Sequence, residues 1–333
     1  MARKEVKKPN PRAIARTIPM CQFSAMGISM FYSGTGLDRA AALRRDEEWI
    51  ARQLHDRSSR IVPVWRGHNL ILAGSNPSAL TLTGDHSRGL LEIAGEIALL
   101  GLDGATAFFA ADLSDHEMPV LAPIIGRGEF SDIREYGMLL DRGEAALLAY
   151  ARGLLFWHQR HRYCGICGGP TAPRQGGHVR VCGTEECGAE HFPRTDPAVI
   201  MLVTRPGPEG GAALLGRQAR WPQGMMSTLA GFVDPGESLE EAVAREVMEE
   251  SGIEVTDVQY QASQPWPFPS SLMLGFRARA KTVHINIDPN ELEDARWFTR
   301  AQISEFGKSN ELRLPRTDSI ARWLIDGWLR EPF

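Results

Sequence analysis

Residues 231–253, GFVDPGESLEEAVAREVMEESGI, carry Gly231, Glu237, Arg245, Glu246, Glu249, Glu250 and Gly252 in the spacing G-x5-E-x7-R-E-x2-E-E-x-G. Ser238 and Glu241 have capping-box spacing, so a helix should begin there, and Gly252 supplies the permissive backbone that ends it. Within that helix Glu246, Glu249 and Glu250 stand three and four residues apart, as neighbours on one face. Like charges so close repel one another. Hard divalent cations take oxygen ligands of this kind and cancel the repulsion, so Mg2+ or Mn2+ is the natural occupant. Such ions clamp the non-bridging oxygens of a diphosphate, lower the pKa of a bound water and stabilise charge on the leaving phosphate. The turn Asp234-Pro235-Gly236 brings Glu237 toward the same place, where Arg245 can pair with it. A Glu-rich helix is usually only a solvated face, but here the flanking glycines and the Arg-Glu pair fall into one pattern. With each residue type near ~7% of ordinary sequence, a chance match is on the order of one in a hundred million per register.

A second segment follows: Ser263-Gln264-Pro265-Trp266-Pro267-Phe268-Pro269-Ser270-Ser271. Its prolines cannot donate ladder hydrogen bonds, which predicts a stiff, extended loop. Its rigid aromatic faces suit stacking on planar bases, and a polyproline ligand for an SH3-like partner is the other use of such a stretch.

The array at 231–252 resembles the signature of the Nudix hydrolases, which cleave diphosphates linked to a nucleoside. SQPWPFPSS after it is similar to the array of the NAD(H) pyrophosphatases. That resemblance implies hydrolysis of NADH or NAD+ to a nicotinamide mononucleotide (NMNH or NMN) and AMP, and removal of NAD caps from RNA 5′ ends. It implies metal binding by Glu246, Glu249 and Glu250, with Glu291 in Asp288-Pro289-Asn290-Glu291 a further acid near the metals. The general base falls to Glu249 or Glu291, and Glu237 and Arg245 complete the catalytic set. Phe232 and Phe192 match aromatics that stack on substrate rings. Gln264 and Ala321 match positions lining the site, and Trp266, Phe268 and Ser271 join them as substrate-binding candidates. A homodimer, with both chains contributing to each site, is implied as well.

Four of the five cysteines form two pairs, Cys164-x2-Cys167 and, fourteen residues on, Cys182-x4-Cys187. Each lies next to glycine, as in the two knuckles of a zinc ribbon, and four thiolates would close the coordination shell and make the metal structural. Disulfides or a redox Cys-x-x-Cys are the alternatives, set against the lack of a visible secretion signal and the four-residue spacer of the second pair. Cys21 is left over. His158, His161, His178 and His191 lie nearby as competing ligands, although isolated histidines beside a ribbon are more often solvent-facing or hydrogen-bonded. The family resemblance also implies a four-cysteine zinc site ahead of the Nudix domain.

The elements that must position these groups fill 333 residues, 43% of them hydrophobic, which is more than one typical domain. Residues 1–18 read as a flexible basic tail. Residues 19–160 read as an N-terminal α/β domain, with a helix over 38–54, hairpins at 61–73 (turning at Gly67-His68-Asn69) and 96–113 (turning at Asp103-Gly104), and a helix over 144–160. The zinc ribbon takes 161–193. In 194–333, strands at 198–204, 212–218, 226–233, 272–280 and 295–299 with a closing helix at 317–329 predict a Nudix α-β-α sandwich. The whole is α/β and α+β in class. No apolar run approaches the ~18 residues that span a bilayer, so the cytoplasm is expected. A net charge of −4 shows no basic footprint for nucleic acid, and an RNA role would rest on the 5′ end.

Two further functions stay open from sequence. One is hydrolysis of another nucleoside diphosphate such as ADP-ribose. The other, from a different class, is an RNA-binding or regulatory protein contacting RNA through its ribbon, where Arg174 and Arg180 face Glu185 and Glu186 in the count and give weak support.

Overall fold

The computed structural model of the chain describes residues 30–126, 128–306 and 312–331, leaving the expected tail and Cys21 outside the described residues. They form two compact units. One comprises Gly34–Asp132 and His158–Pro193; the other comprises Met30–Ser33, Ile133–Trp157 and the residues from Arg194 onward.

In the first unit, β1 (Arg60–Trp65) and β2 (His68–Leu72) form a hairpin whose two loop residues, Arg66 and Gly67, both take positive φ. That conformation matches the twist of the flanking strands. With β3 (Ser78–Ala79), β4 (Ile97–Asp103), β5 (Thr106–Asp112) and β6 (Glu129–Ser131) they make a sheet ordered β3-β2-β1-β5-β4, with β6 on β2. Helices α1 (Glu47–Leu54), α2 (Asp85–Ile93) and α3 (Met118–Ile125) accompany it, and the core gathers Leu70, Leu90, Leu99, Phe109 and Leu121. The helix expected from residue 38 begins only at Glu47. Asp38 exchanges backbone hydrogen bonds with Leu102, and Asp46 caps the helix by accepting from the Trp49 N–H at 2.9 Å. An Asp side chain competing for backbone donors favours such a start over a helix interior.

The ribbon strands β7 (Thr171–Arg174), β8 (Val179–Cys182) and β9 (Glu190–His191) form a separate antiparallel sheet. Behind it Arg180, buried to 3% exposure, donates to Glu96 at 2.6 Å, to His158 Nδ1 at 2.9 Å and to the Thr171 carbonyl at 2.9 Å. A buried guanidinium persists only with partners of this kind.

The second unit holds β10 (Asp196–Arg205), β11 (Ala212–Arg217), β12 (Leu229–Phe232), β13 (Val255–Trp266), β14 (Ser271–Ala280) and β15 (Asp294–Thr299), ordered β13-β14-β10-β11-β15 with β12 on β10. It also holds α4 (Ile133–Tyr136), the first four turns of α5 (Arg142–Arg160), then α6 (Leu239–Ser251), α7 (Arg300–Ser304) and α8 (Ile320–Leu329). Side chains alternate across a strand, and β10 uses both sides. Val199, Met201 and Val203 pack with Val243 and Val247 of α6, while Ile200 and Leu202 pack with Leu324 and Ile325 of α8. A sheet covered on both faces is the expected α-β-α sandwich. One element differs from expectation. Gln264, Pro265 and Trp266 end β13, paired with Met273, Leu272 and Ser271, so the loop begins only at Pro267. The sheet tolerates Pro265 because β13 is an edge strand, where a missing N–H breaks no ladder.

Candidate active site

Helix α6 is the platform. Ser238 Oγ accepts from the Glu241 N–H at 3.2 Å and the Glu241 carboxylate accepts from the Ser238 N–H at 2.8 Å, closing the capping box. Gly252 ends the helix at φ 68°. Two rows of side chains four residues apart then face different ways: Glu246 with Glu250, and Arg245 with Glu249.

The first row faces a cavity of about 620 Å³ lined by Glu246, Glu250, Glu291, Gly231, Phe232 and Arg220 among others. Carboxylate oxygens of Glu246, Glu250 and Glu291 lie within 4.8 Å of one another. β12 comes close enough for this because residue 231 is glycine: a Cβ there would sit 1.8 Å from the Glu246 carboxyl carbon. Burial pushes the Glu250 carboxyl up to about 8, helped by repulsion from Glu246 and Glu291, and burial likewise raises Glu246. Glu250 Oε2 is buried and has no hydrogen-bond partner among the described residues. Acids forced together out of water with an orphaned oxygen fit a hard divalent cation, which supplies the missing charge and ligand bonds.

The second row is a clamp. Arg245 grips Glu237 with two hydrogen bonds, at 2.6 and 2.9 Å, and reaches Glu246, Glu249 and the Phe232 carbonyl at 2.9 Å each. The Arg245 guanidinium, with the Asp234 N–H, holds the Glu237 carboxyl down to about 2. Bidentate pairing of this sort fixes geometry, so the loop between β12 and α6 is tied to the helix. Glu249, expected among the metal ligands, sits instead on Arg245, exposed and away from the cavity lining. Glu291, expected near the metals as well, lies in the acidic group with Glu246 and Glu250.

The expected substrate residues separate. Phe232 lines the cavity with 59% of its surface exposed. Trp266 and Phe268 do not line it; they pack edge to face at 5.1 Å and both meet Tyr32. Ser271 is the strand partner of Trp266. Gln264 is fully buried, donating to the Asp318 carbonyl at 2.7 Å and accepting from the Ile320 N–H at 2.8 Å, so it pins the start of α8. Ala321, in the first turn of α8, is buried in the core on the sheet face opposite α6. Phe192 is exposed just after β9 in the first unit. Sequence reasoning missed Arg220, Gln218, Asn290 and Glu293 in the lining. They come from loops with no motif, although Asn290 adjoins the recognised Glu291.

At the ribbon, the Cys164 and Cys187 sulfurs are 3.8 Å apart and those of Cys167 and Cys182 are 3.4 Å apart. Tetrahedral Zn–S bonds of about 2.3 Å put sulfurs about 3.8 Å apart, so the four residues fit zinc. Backbone N–H groups of Ile166, Gly169 and Thr184 point at the sulfurs of Cys164, Cys167 and Cys182, stabilising thiolate charge. His191 approaches Cys164 Sγ at 3.3 Å, while His158 and His178 donate to backbone carbonyls of Gly177 and Leu99.

Comparison with known proteins agrees with this layout. Residues 194–322 match the NUDIX domain, residues 159–192 the NADH pyrophosphatase zinc ribbon domain, and residues 58–157 the NADH pyrophosphatase-like rudimentary NUDIX domain. The class is thus a Nudix protein with a zinc ribbon and a second, rudimentary Nudix unit. The NAD-capped RNA hydrolase NUDT12 of Homo sapiens is 42% identical over 260 residues, covering 72% of this chain and 54% of that protein, so the chain spans about half the length of that relative. NAD-capped RNA hydrolases NudC are 42% identical in Stutzerimonas stutzeri, covering 70% of this chain and 79% of that one, and 38% identical in Mycobacterium bovis, covering 89% and 93%. The chain belongs to the NudC family of Nudix hydrolases.

Proposed function

We propose that the chain hydrolyses the diphosphate of NADH and NAD+ to NMNH or NMN and AMP, and hydrolyses the same diphosphate in NAD caps on RNA 5′ ends to release NMN and 5′-monophosphate RNA, using Mg2+ or Mn2+. The observation that carries this is the meeting of Glu246, Glu250 and Glu291 oxygens in a cavity walled by the exposed ring of Phe232. The divalent ions supply charge neutralisation at the phosphates and a water acidic enough to attack. The protein's own residues do the rest: Glu246, Glu250 and Glu291 hold the ions, Phe232 stacks on a planar base, and Arg245 with Glu237 keeps the Phe232 loop in register with the helix. Glu249 or Glu291 accepts the proton of the attacking water. Glu291, in the acidic group, is the better placed, whereas Glu249 is held by Arg245.

The zinc site belongs to the proposal as a structural element, as do a homodimer and a division of labour among the N-terminal domain (19–160), ribbon (161–193) and catalytic domain (194–333). Four thiolate ligands suit a reducing compartment, and the cytoplasm is proposed accordingly. Among the described residues no helix is long and apolar enough to cross a membrane. The test is product analysis: purified protein with Mg2+ or Mn2+ should convert NADH to NMNH and AMP, and NAD-capped RNA to 5′-monophosphate RNA. Intact NADH after incubation with either ion defeats the proposal.

A further inference from the structure

Among the described residues, the cavity holding the acidic group is lined by Asp234, Glu246, Glu250, Glu291 and Glu293, and by a single cationic side chain, Arg220. A diphosphate brings more negative charge to this place, and hydrolysis adds to it: as the water oxygen bonds to one phosphorus, the bridging oxygen departs on the other phosphate with the bonding electron pair. Fixed cations aimed at that developing charge are usually the largest contribution to such a reaction.

Two arginines, Arg217 at the end of β11 and Arg220 in the loop after it, differ in what they have left to offer. Arg217 is fully engaged, donating to Glu293 at 2.6 Å and to the carbonyls of Pro222 at 2.6 Å and Trp221 at 3.2 Å. These bonds, with the Trp221 N–H on the Gln218 carbonyl at 3.0 Å, fix the loop. Arg220 uses its Nε on the Gln218 side chain at 2.8 Å, which orients the guanidinium, and it makes no ion pair with any described carboxylate. Its two terminal nitrogens remain for a ligand in the cavity. A planar fork of N–H donors matches two phosphate oxygens.

We infer that Arg220 is the protein's own phosphate-binding cation in this cavity, gripping non-bridging oxygens of the substrate diphosphate and of the mononucleotide product. The inference rests on the diphosphatase function proposed above, and its test separates the two. Arg220 is exposed and pairs only with a neighbouring side chain, so Arg220→Ala should melt as the wild type does. Its kcat/KM on NADH should fall about a hundredfold, Arg220→Lys should recover only part, and millimolar guanidinium should partly rescue the alanine variant but not the wild type. Calorimetry with AMP, NMN and adenosine gives a readout free of turnover. The alanine variant should lose about tenfold in affinity for AMP or NMN and nothing for adenosine. Wild-type affinity for both mononucleotides, or a kcat/KM within twofold of wild type, overturns the role of Arg220 even where NADH is hydrolysed. A wild-type protein inert toward NADH defeats the proposed function instead, while the mononucleotide and adenosine comparison still decides the role of Arg220.

Discussion

Replacing Glu250 by Gln should raise stability and abolish activity together. The Glu250 carboxyl is 3% exposed, has one orphaned oxygen, and holds its proton up to about 8 in the folded protein. In the unfolded chain it ionises near its ordinary 4.5. Between those values the folded state carries a proton that the unfolded state has lost, so the stabilisation present below 4.5 drains away as pH rises and is gone above about 8. At about 1.4 kcal/mol per pH unit the ceiling is about 5 kcal/mol, and relaxation toward water in the open cavity leaves roughly half of it. Glutamine has the same shape and never ionises. In EDTA at pH 8 the Glu250→Gln protein should therefore melt higher than wild type, by about 5–10 °C at roughly 2–4 °C per kcal/mol, and the gap should close near pH 5. Mg2+ should raise the wild-type midpoint by binding the folded form and leave the variant unmoved. Turnover of NADH should fall by about 10²–10³ or more, the loss of a metal ligand from the site of charge development. Differential scanning fluorimetry at the two pH values, with and without Mg2+, reads all of this. A variant that melts lower at pH 8, a gap that ignores pH, or a retained Mg2+ response refutes the claim that burial and acid repulsion prepare the metal site.

Other substitutions probe the parts separately. Arg245→Ala should free Glu237, whose carboxyl Arg245 holds down to about 2; wild-type stability from that pairing is present above 4.5 and lost as pH falls toward 2, so acid titration of the variant should lack that step, and kcat/KM should drop at least tenfold with no rescue by Lys. Gly231→Ala puts a methyl carbon 1.8 Å from the Glu246 carboxyl carbon and should weaken Mg2+ binding more than tenfold in a titration while the fold persists. Phe232→Ala, at an exposed ring, should raise KM for NADH about tenfold without lowering the midpoint, whereas Trp266→Ala removes a ring packed on Tyr32 and Phe268 and should cost roughly 2–3 kcal/mol of stability, in the range of large-to-small changes. Cys167→Ser should reduce the metal content, measured by atomic absorption, from about one zinc per chain toward none, since thiolate ligation is the folding energy of such ribbons.

Much of the site was legible because its chemistry is local. Capping, i,i+4 adjacency and the Cys-x2-Cys knuckle act within a few residues, and sequence displays them directly. The turn at Gly104 was readable for the same reason, since positive φ there favours glycine; the first hairpin turns at Arg66-Gly67, one residue before the Gly67-His68-Asn69 expected, because His68 and Asn69 already pair with Trp65 and Val64. What stayed hidden depended on distant partners. Gln264 sits in a motif that implies substrate contact, yet its amide is consumed by the backbone of residues 318 and 320. The helix over 38–54 looked continuous from propensity until Asp38 found Leu102, sixty-odd positions away in sequence. Arg220 and Gln218 carry no signature, because a loop residue near a cavity is indistinguishable in sequence from one facing open solvent.

The three motif carboxylates are sorted by their neighbours. Glu246, Glu249 and Glu250 look equivalent as a string, but each helical residue turns about 100° from the last, which sorts them by neighbour. Glu246 and Glu250 share the row over Gly231, where burial raises both carboxyls; Glu249 shares the row of Arg245, on the solvent side. Arg245 Nη1 touches Glu246 and Glu249 at the same 2.9 Å, so the guanidinium sits between the rows. A cation placed there offsets repulsion within the acidic pattern and does not reach Glu250, whose charge is left for a bound ion to balance. The Arg-Glu pair in the signature follows from that requirement: without it, the crowded glutamates of α6 would take up protons or lose their geometry before a substrate arrived.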